Sequence, residues 1–422
     1  MTYSTATPKD STPVSLLSLY LTFRSKDDKL WWDNTAPVIG GFLAAAHYKV
    51  ASQFEFLLFY HKYILPSLGH YPSPENEGDR WKSFLYRRGE PLELSFNYQK
   101  DSNCTVRLAL EPVGPNAGTK DDPLNEFEAK ILVEKIAQLD SNIDLQWVDF
   151  LDKEILLHND ELSQIKNTEL EGSAHMSQRL VGVDFMSGGM KIKPYFVPWL
   201  KSLVTGVPTL QLMFQAIRKL DSVGSFSNGL SEVEAYLAST DQLLWSEENY
   251  LSFDCVDPGK SRIKLYVAEK VTCFNRIQSH WTLGGQLRSQ ANQEGLLLLK
   301  KLWNLLGYPG DPAQQTDRYL PFNFNWELRP SNPIPLPKVY FALGNEPDSL
   351  VSKALIGLFT ELGWSDQIHA HKRSVEFAFP DCNLEETTHV LTWITVTYEE
   401  EKGAYITTYC NAIGGGHKLQ FR

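Results

Sequence analysis

Cationic and tyrosine side chains recur at alternate positions in apolar, β-rich segments of this chain. The segments contain Lys191, Lys193 and Tyr195; Arg262, Lys264 and Tyr266; Lys338 and Tyr340; Tyr405 and Tyr409; and, in a fifth, Arg107. Side chains two residues apart on a β-strand share a face, so each segment would direct its cations and phenols to one side of a sheet. If the five faces meet, they line a cavity with Arg, Lys and Tyr. Such a cavity suits a polyanion held beside an aromatic group.

The spacing of these segments indicates a structural repeat. They recur at intervals of roughly seventy residues along the chain. Each would be the second arm of a β-hairpin whose turn contains Gly, Pro, Asn or Asp. The predicted hairpins pair 94–98 with 105–110, 180–185 with 191–195, 251–256 with 262–266, 322–328 with 338–343, and 389–398 with 405–409. One turn contains Ser187-Gly-Gly189, and a Pro-rich connection joins the two arms of the fourth hairpin.

Amphipathic helical patterns separate the hairpins. They cover 122–139, 199–220, 230–237, 285–306 and 348–362, and two more lie at 16–23 and 54–64. Helices followed by a hairpin, five times over, predict an α+β fold in which ten antiparallel strands close into a barrel with the helices outside. The polar, cationic faces would then line the barrel interior, which is the reverse of an ordinary packed core.

Length and composition agree with one large globular unit. The repeats would all belong to one barrel, so we predict a single domain over 1–422, with roughly 13 flexible residues at the N-terminus. The net charge of −11 argues against a nucleic-acid surface. No apolar stretch is long enough to span a membrane, and no signal-peptide core is present. The five Cys residues are scattered, which is typical of a reduced, cytoplasmic chain.

Several common catalytic motifs are missing from the sequence. It contains no Gly-x-Gly-x-x-Gly or Walker loop, no Gly-x-Ser-x-Gly elbow and no His-x-x-x-His metal pair. The pairs Asp27-Asp28 and Asp121-Asp122 lack the third Asp of the box that binds magnesium and diphosphate in terpenoid enzymes. If a diphosphate binds here, side chains rather than a metal must neutralise most of its charge.

Taken together, the segments resemble the fungal dimethylallyltryptophan synthase family of aromatic prenyltransferases. The resemblance runs from the Trp31-Trp32-Asp33 segment to Tyr409, with five short motifs in the same order. It implies a barrel of five ααββ repeats. It also implies an enzyme of alkaloid biosynthesis that joins a dimethylallyl group, taken from dimethylallyl diphosphate, to an electron-rich aromatic ring by Friedel–Crafts-type alkylation. Its partners would be these two small molecules; no cofactor and no metal would be required, and the chain would act as a monomer or homodimer.

The resemblance also implies roles for individual residues. The diphosphate-binding cations would be Arg107, Lys193, Arg262, Lys264 and Lys338. The tyrosine shield around the allylic cation would be Tyr195, Tyr266, Tyr340, Tyr405 and Tyr409. Glu93 would be the catalytic carboxylate that contacts the indole N–H. Ala109 lies two residues after Arg107, so it should share the inward face and line the substrate pocket beside the diphosphate.

The acceptor is less constrained than the donor. Family members that use free tryptophan carry a Lys base on the strand before the Lys-x-Tyr element, whereas 180–185 contains only Asp184 as an acid or base. This favours a larger tryptophan-derived indole such as a cyclic dipeptide. Two alternatives stay open: a phenolic or polyketide acceptor, and a non-catalytic carrier barrel for aromatic anions. We assign Trp199, Trp326 and Trp393 to the core.

Overall fold

Ten antiparallel strands form a closed barrel, which confirms the predicted fold class. The barrel strands are β1 (Leu92–Gln99), β2 (Val106–Leu110), β3 (Arg179–Met186), β4 (Gly189–Phe196), β5 (Tyr250–Phe253), β6 (Ile263–Ala268), β7 (Asn323–Arg329), β8 (Asn332–Ala342), β10 (Leu391–Glu399) and β11 (Gly403–Asn411). Neighbours in the chain are neighbours in the barrel, and β11 pairs with β1 to close it. Two short strands, β9 (Thr387–Thr388) and β12 (His417–Lys418), form a separate pair.

The structure is a computed structural model. It describes residues 12–73, 81–86, 89–164, 175–186, 189–221, 223–240, 244, 246–309, 322–330, 332–344, 346–413 and 417–418. The predicted flexible N-terminus therefore lies almost wholly outside the described residues, as do Ser187 and Gly188 of the predicted turn.

The alternating strand directions give the barrel two different ends. The connections within the five hairpins lie at one end, which we call the hairpin end. The connections that lead from one hairpin through helices to the next lie at the opposite end, which we call the helix end.

Helices cover the outside of the barrel. Those in the described residues are α1 (Pro13–Tyr20), α2 (Lys26–Ala45), α3 (Val50–Phe59), α4 (Phe127–Ala137), α5 (Gln146–Ile155), α6 (Trp199–Thr205), α7 (Thr209–Leu220), α8 (Ser227–Ala238), α9 (Phe274–Trp281), α10 (Gln290–Leu305), α11 (Asp348–Glu361) and α12 (Ser365–Ala378). Side-chain oxygens cap three of them: Thr12, Ser25 and Ser289 accept from backbone N–H groups in the first turns of α1, α2 and α10. None of the helices in these described ranges is both long and apolar enough to cross a membrane.

The hydrophobic core lies between the barrel wall and the helices. Outward side chains of the strands meet the apolar faces of the helices, as where Phe96 of β1 lies 5.5 Å from Phe42 of α2, measured between ring centroids. Trp31 and Trp32 of α2 and Trp326 of β7 are fully buried in this layer. Because apolar packing is outside the wall, the inward positions are free to be polar.

Several predicted elements differ in their bounds, and two differ in their organisation. The helix predicted over 199–220 is two helices, because Gly206 adopts a left-handed conformation (φ 68°) that ends α6, and Pro208 precedes α7. The Pro-rich connection of the fourth hairpin is part of a strand, since β8 begins at Asn332. Its prolines are tolerated because β10 pairs only with 338–342, so this part of β8 needs no donors on that side.

Candidate active site

Alternate side chains of the ten strands converge inside the barrel. The register places Arg107 opposite Asp184, and Lys264 opposite Glu327. Lys338 lies opposite Asn325. The predicted cations lie nearer the hairpin end, and the tyrosines two residues further along each strand lie deeper. Sequence alternation alone therefore identified the inward face of β2, β4, β6 and β8 correctly.

Four of the five predicted shield tyrosines form a continuous chain of rings. Ring centroids are 6.0 Å apart for Tyr195 and Tyr266, 6.0 Å for Tyr266 and Tyr340, and 6.2 Å for Tyr340 and Tyr409. These rings come from β4, β6, β8 and β11, so the chain crosses the barrel interior. Such a wall presents π faces, which attract a cation by roughly 0.5–2 kcal/mol per ring.

The fifth predicted tyrosine, Tyr405, lies among the cations instead. Its ring centroid is 5.5 Å from the guanidinium carbon of Arg107 and 5.3 Å from Nζ of Lys338. Tyr405 thus bridges two cations from opposite sides of the β1–β11 pair, and its environment differs from that of the other four rings.

Two aromatic residues of the interior were not predicted. Tyr250 of β5 stacks on Tyr266 with centroids 4.3 Å apart, and it lies 6.0 Å from Tyr195. Trp393, which the sequence analysis assigned to the core, is only partly buried and lies 6.4 Å from Tyr340. Tyr250 and Ser252 share a face of β5, and they lie opposite Tyr266 and Lys264 of β6. Alternation within β5 was therefore the signal that could have identified Tyr250.

Three buried carboxylates partly compensate the charge of the cations. Asp184 accepts a hydrogen bond from Nζ of Lys193, and one of its oxygens is 3.2 Å from Nε of Arg107. Asp254 accepts from Nε of Arg262 at 2.8 Å. From the sequence, Asp184 was identified only as the acid within 180–185, and Asp254 was not identified.

Glu327 is the third carboxylate and links the site to the rim. It accepts from Nη1 of Arg262 at 3.0 Å and lies 3.8 Å from Nζ of Lys264. Its other oxygen accepts from Arg329 at 2.6 Å, and Arg329 also pairs with Glu399 near the hairpin end. This network extends from the cavity to the surface, and it was not predicted from the sequence.

The acid groups are held ionised by their neighbours. Burial alone would raise the pKa of Glu327, but Lys264 and Arg262 outweigh it and lower that pKa to about 2. The pKa of Asp254 is likewise lowered to about 2, because Lys264 and Arg262 exceed the effect of burial. Arg107 and Lys193 hold the pKa of Asp184 below its usual range in the same way.

The environment of the lysine amines disfavours their charged form. Burial, followed by the charge of Arg262, lowers the pKa of Lys264 to about 8. Burial, with Lys264 and Arg107, lowers the pKa of Lys338 well below its ordinary value. More positive charge is gathered here than the three carboxylates neutralise, so a bound polyanion would stabilise the cationic forms.

Glu93 lies at the helix end, away from the cations. It is a buried residue of β1, opposite Ala109 on one side and Asn411 on the other. Burial raises the pKa of Glu93 to about 8, so burial favours the protonated form of its carboxyl group at neutral pH. A hydrogen-bonding partner that favours the carboxylate is needed to ionise it there.

Two small residues, Ala109 and Gly182, lie between Glu93 and Lys193 across the sheet. Ala109 lies opposite Gly182 of β3, and Gly182 lies opposite Lys193. A Cβ atom on Gly182 would lie 3.2 Å from both Cε2 and Oη of Tyr195, so the glycine lets that ring lie across β3. The predicted position of Ala109 on the inward face agrees with this register.

A strap of residues 81–86 lies over the helix end beside Glu93. Trp81 donates to Glu111 at 2.8 Å, the backbone N–H of Phe84 donates to Ser177 at 3.2 Å, and Tyr86 donates to the carbonyl of Cys410 at 2.7 Å. The Phe84 ring lies 6.3 Å from Tyr250, so the strap borders the same aromatic interior. The strap carries no regular secondary structure, which is why periodicity could not reveal it.

The described residues contain no cluster of three or more His, Cys, Asp and Glu that could hold a metal ion. This arrangement can bind a polyanion at the cations near the hairpin end and surround a cation with aromatic faces. It can also offer a carboxyl group to an N–H donor.

Comparisons with known proteins agree with this geometry. Residues 27–374 match the family model described as tryptophan dimethylallyltransferase. The chain is 32% identical to echinulin prenyltransferase 1 of Aspergillus ruber, over 94% of this chain and 96% of that protein. It is also 32% identical to tryptophan dimethylallyltransferase 1 of Claviceps purpurea, over 98% and 95%.

Solved structures show the same barrel. AnaPT from Neosartorya fischeri superposes with a TM-score of 0.86 at 30% identity, covering 97% of this chain and all (100%) of that one. NotF, solved in complex with brevianamide F and DMSPP, superposes with a TM-score of 0.86 at 29% identity, covering 96% and 100%.

Proposed function

The chain belongs to the tryptophan dimethylallyltransferase family, and on that premise we propose that its barrel joins dimethylallyl diphosphate to a tryptophan-derived indole. The chain is a prenyltransferase of aromatic acceptors in alkaloid biosynthesis. In the reaction, the allylic C–O bond breaks and its electron pair leaves with the diphosphate. The ring supplies the electrons of the new bond and then loses a proton.

One observation supports the proposal that the diphosphate of the donor binds at the cations near the hairpin end. Five cations (Arg107, Lys193, Arg262, Lys264 and Lys338) converge in a largely buried cavity from β2, β4, β6 and β8, Arg262 lying directly before β6. Diphosphate gains charge as the C–O bond breaks, and fixed cations in a cavity that holds little water stabilise that charge. Arg offers paired donors and Lys a point charge.

The tyrosine chain is suited to the second requirement of the reaction. The dimethylallyl cation reacts with water and must be kept dry until the acceptor attacks. The space deeper than the Arg and Lys side chains is bordered by the rings of Tyr195, Tyr266, Tyr340 and Tyr409. We assign these four rings to stabilise and shield the dimethylallyl cation. Tyr405, between Arg107 and Lys338, would contact the phosphates instead.

Glu93 is our candidate for the acceptor contact. Its carboxylate would accept a hydrogen bond from the indole N–H, which orients the ring and raises its electron density. Because burial raises the pKa of this group to about 8, the acceptor complex forms most readily when the pH favours ionisation. Ala109 and Gly182, between Glu93 and Lys193, leave room for the reacting ring.

The acceptor that we propose is larger than free tryptophan. No lysine stands on β3, where Asp184 is committed to Arg107 and Lys193. The relatives include echinulin prenyltransferases, and NotF was solved with brevianamide F. A tryptophan-containing cyclic dipeptide is therefore the acceptor to test first. We further propose that no metal is essential, that the chain forms one domain over 1–422, and that it acts in the cytoplasm as a monomer or homodimer.

A panel of acceptors tests the proposal. Purified protein is incubated with dimethylallyl diphosphate and, separately, with tryptophan, tryptophan-containing cyclic dipeptides and phenolic aromatics, and the products are read by mass. The expected result is a gain of one isoprene unit, greatest for a cyclic dipeptide. A gain on phenols alone would support the phenolic alternative, and acceptor binding without any mass gain would support a carrier.

A further inference from the structure

The hydroxyl group of Tyr48 is inserted into the barrel wall between β2 and β3. Tyr48 lies in the connection between α2 and α3, outside the barrel. Its Oη accepts a hydrogen bond from the backbone N–H of Val106 at 3.2 Å and donates one to the carbonyl of Phe185 at 2.5 Å. A side chain of the helical layer thus joins two strands of the sheet.

The insertion replaces a step of the β-ladder. Pairing of β2 with β3 ends at Arg107 and Asp184, and the next pair toward the hairpin end would be Val106 and Phe185. In a continuous ladder, strands are about 4.7–4.9 Å apart. A hydroxyl that takes the N–H of one strand and gives its proton to the carbonyl of the other holds the two backbones further apart.

Arg107 and Asp184 are the immediate neighbours of the two bridged residues. Nε of Arg107 is buried and forms no hydrogen bond with any residue in the described ranges, although it lies 3.2 Å from Asp184 as an ion pair. The position of this guanidinium therefore depends on where its strand lies. The strand spacing also sets how Asp184 is shared between Arg107 and Lys193.

Tyr48 is itself held firmly by the helical layer. Its ring meets Phe56 of α3 edge-on at 5.6 Å, and Phe56 stacks on Phe185 at 4.6 Å. Gln53 of α3 donates to the carbonyl of Tyr48 at 2.8 Å. His47 adopts a positive φ of 59°, which turns the chain toward the barrel at this point.

We propose that Tyr48 is a positioning residue of the donor site: its hydroxyl sets the separation of β2 and β3 and thereby the placement of Arg107 and Asp184 for diphosphate binding. The proposal rests on the proposed function, because it takes the diphosphate as the ligand of Arg107. It gives the α2–α3 connection, which lies outside the barrel, an influence on donor affinity through the two strands that the Tyr48 hydroxyl joins.

Tyr48→Phe tests the proposal, with Tyr60→Phe as the matched control. Both changes remove one hydroxyl group from the helical layer, but among the residues that the structure describes the hydroxyl of Tyr60 pairs with Thr35 of that layer and with no strand of the barrel. We expect Tyr48→Phe to weaken binding of inorganic diphosphate, measured by calorimetry, by about tenfold, because the two hydrogen bonds that fix the separation of β2 and β3 are lost. KM for the donor should rise in parallel while KM for the acceptor stays within about twofold, and Tyr60→Phe should leave all three within about twofold.

The outcomes separate the two claims. If wild-type protein binds diphosphate and Tyr48→Phe binds it within about twofold of wild type, the inference about Tyr48 is wrong and the proposed function stands. If wild-type protein does not bind diphosphate, the proposed function itself fails.

A measurement on the wild-type protein tests the same proposal without relying on a variant that could fold poorly. Hydrogen exchange is followed by mass spectrometry in peptides that cover 46–49 and 104–108, with and without inorganic diphosphate. Because Tyr48 couples the two segments, exchange should slow in both when diphosphate binds. Protection of 104–108 with unchanged exchange at 46–49 would overturn the inference.

Discussion

Gly182 of β3 lies directly opposite Ala109 of β2, and this pair of small residues occupies the gap between Glu93 and Lys193. The carboxyl group that we assign to the acceptor and the amine that we assign to the donor are thus on either side of a shallow recess. The geometry of that recess should govern which ring carbon meets the allylic cation.

Enlarging Ala109 should change the product pattern. Ala109→Phe fills the recess, so the acceptor ring is displaced relative to the allylic carbon, and displacements of about 1 Å matter strongly for reaction rates. We expect a changed ratio of regioisomers, or release of dimethylallyl alcohol, while diphosphate binding is retained. Chromatography of the products is the measurement. An unchanged isomer ratio at an unchanged rate would show that Ala109 does not face the reaction.

Adding one methyl group at Gly182 should act through Tyr195. The new Cβ would be 3.2 Å from Cε2 and Oη of Tyr195, closer than ordinary van der Waals contact, so the ring must tilt away from β3. We expect Gly182→Ala to increase the share of donor lost to water, as measured by the ratio of alcohol to prenylated product. The same substitution in a Tyr195→Ala background is the control and should have little effect. Equal effects in both backgrounds would place the cause elsewhere.

Removal of a barrel cation should impair donor use selectively. Arg107→Ala or Lys264→Ala removes a charge-assisted contact, typically worth about 1.5–3 kcal/mol, so kcat/KM for the donor should fall by roughly 10- to 150-fold. Lys191→Ala is the matched control, since Lys191 shares the strand parity of Lys193 but is exposed at the rim. Steady-state kinetics with each substrate varied would refute the assignment if Lys191→Ala and Lys264→Ala lowered donor use equally.

The pH dependence of the acceptor reaction should follow Glu93. Burial raises the pKa of this carboxyl group to about 8, so the ionised form that accepts the N–H proton becomes populated as the pH rises toward that value. At saturating donor, kcat/KM for the acceptor should increase with pH up to about 8. Glu93→Gln should lower the rate by about 10²–10⁴-fold and abolish that increase.

The donor must be saturating because the lysines respond in the opposite direction. The pKa of Lys264 is lowered to about 8 by burial and by Arg262, so donor binding weakens as the pH rises above that value. A Glu93→Gln variant that kept both the wild-type rate and the same rise with pH would contradict the role of Glu93.

The sequence contained most of the information about the barrel and its cations. Alternation in segments such as 191–195 and 262–266 is a local property, so the strands and their inward cations could be predicted. Asp254 and Glu327 could not be assigned as charge partners, because their roles depend on which strands become neighbours when the sheet closes. The same holds for Tyr48, whose partners on β2 and β3 are distant in the chain.

Local signals also failed to reveal some of the helices and the position of Trp393. Helices α2, α5, α9 and α12 were not predicted. In helix α2, Pro37 lies within the helix, and proline normally interrupts a helical pattern. Helix α2 forms nonetheless, because burial of its Trp31 and Trp32 side chains against the rest of the protein stabilises it. Trp393 was assigned to the core because large apolar residues are usually buried there, yet its strand position directs it into the cavity beside Tyr340.

The most direct test of the account is transfer in the absence of divalent metal. The central claim is that Arg and Lys side chains, rather than a metal ion, neutralise the diphosphate as it leaves. Purified protein is incubated with dimethylallyl diphosphate and a tryptophan-containing cyclic dipeptide in EDTA, with and without later addition of excess Mg²⁺, and the prenylated product is quantified by mass. The account predicts substantial product in EDTA and at most a modest increase with Mg²⁺. Complete loss of product in EDTA, restored by Mg²⁺, would contradict it.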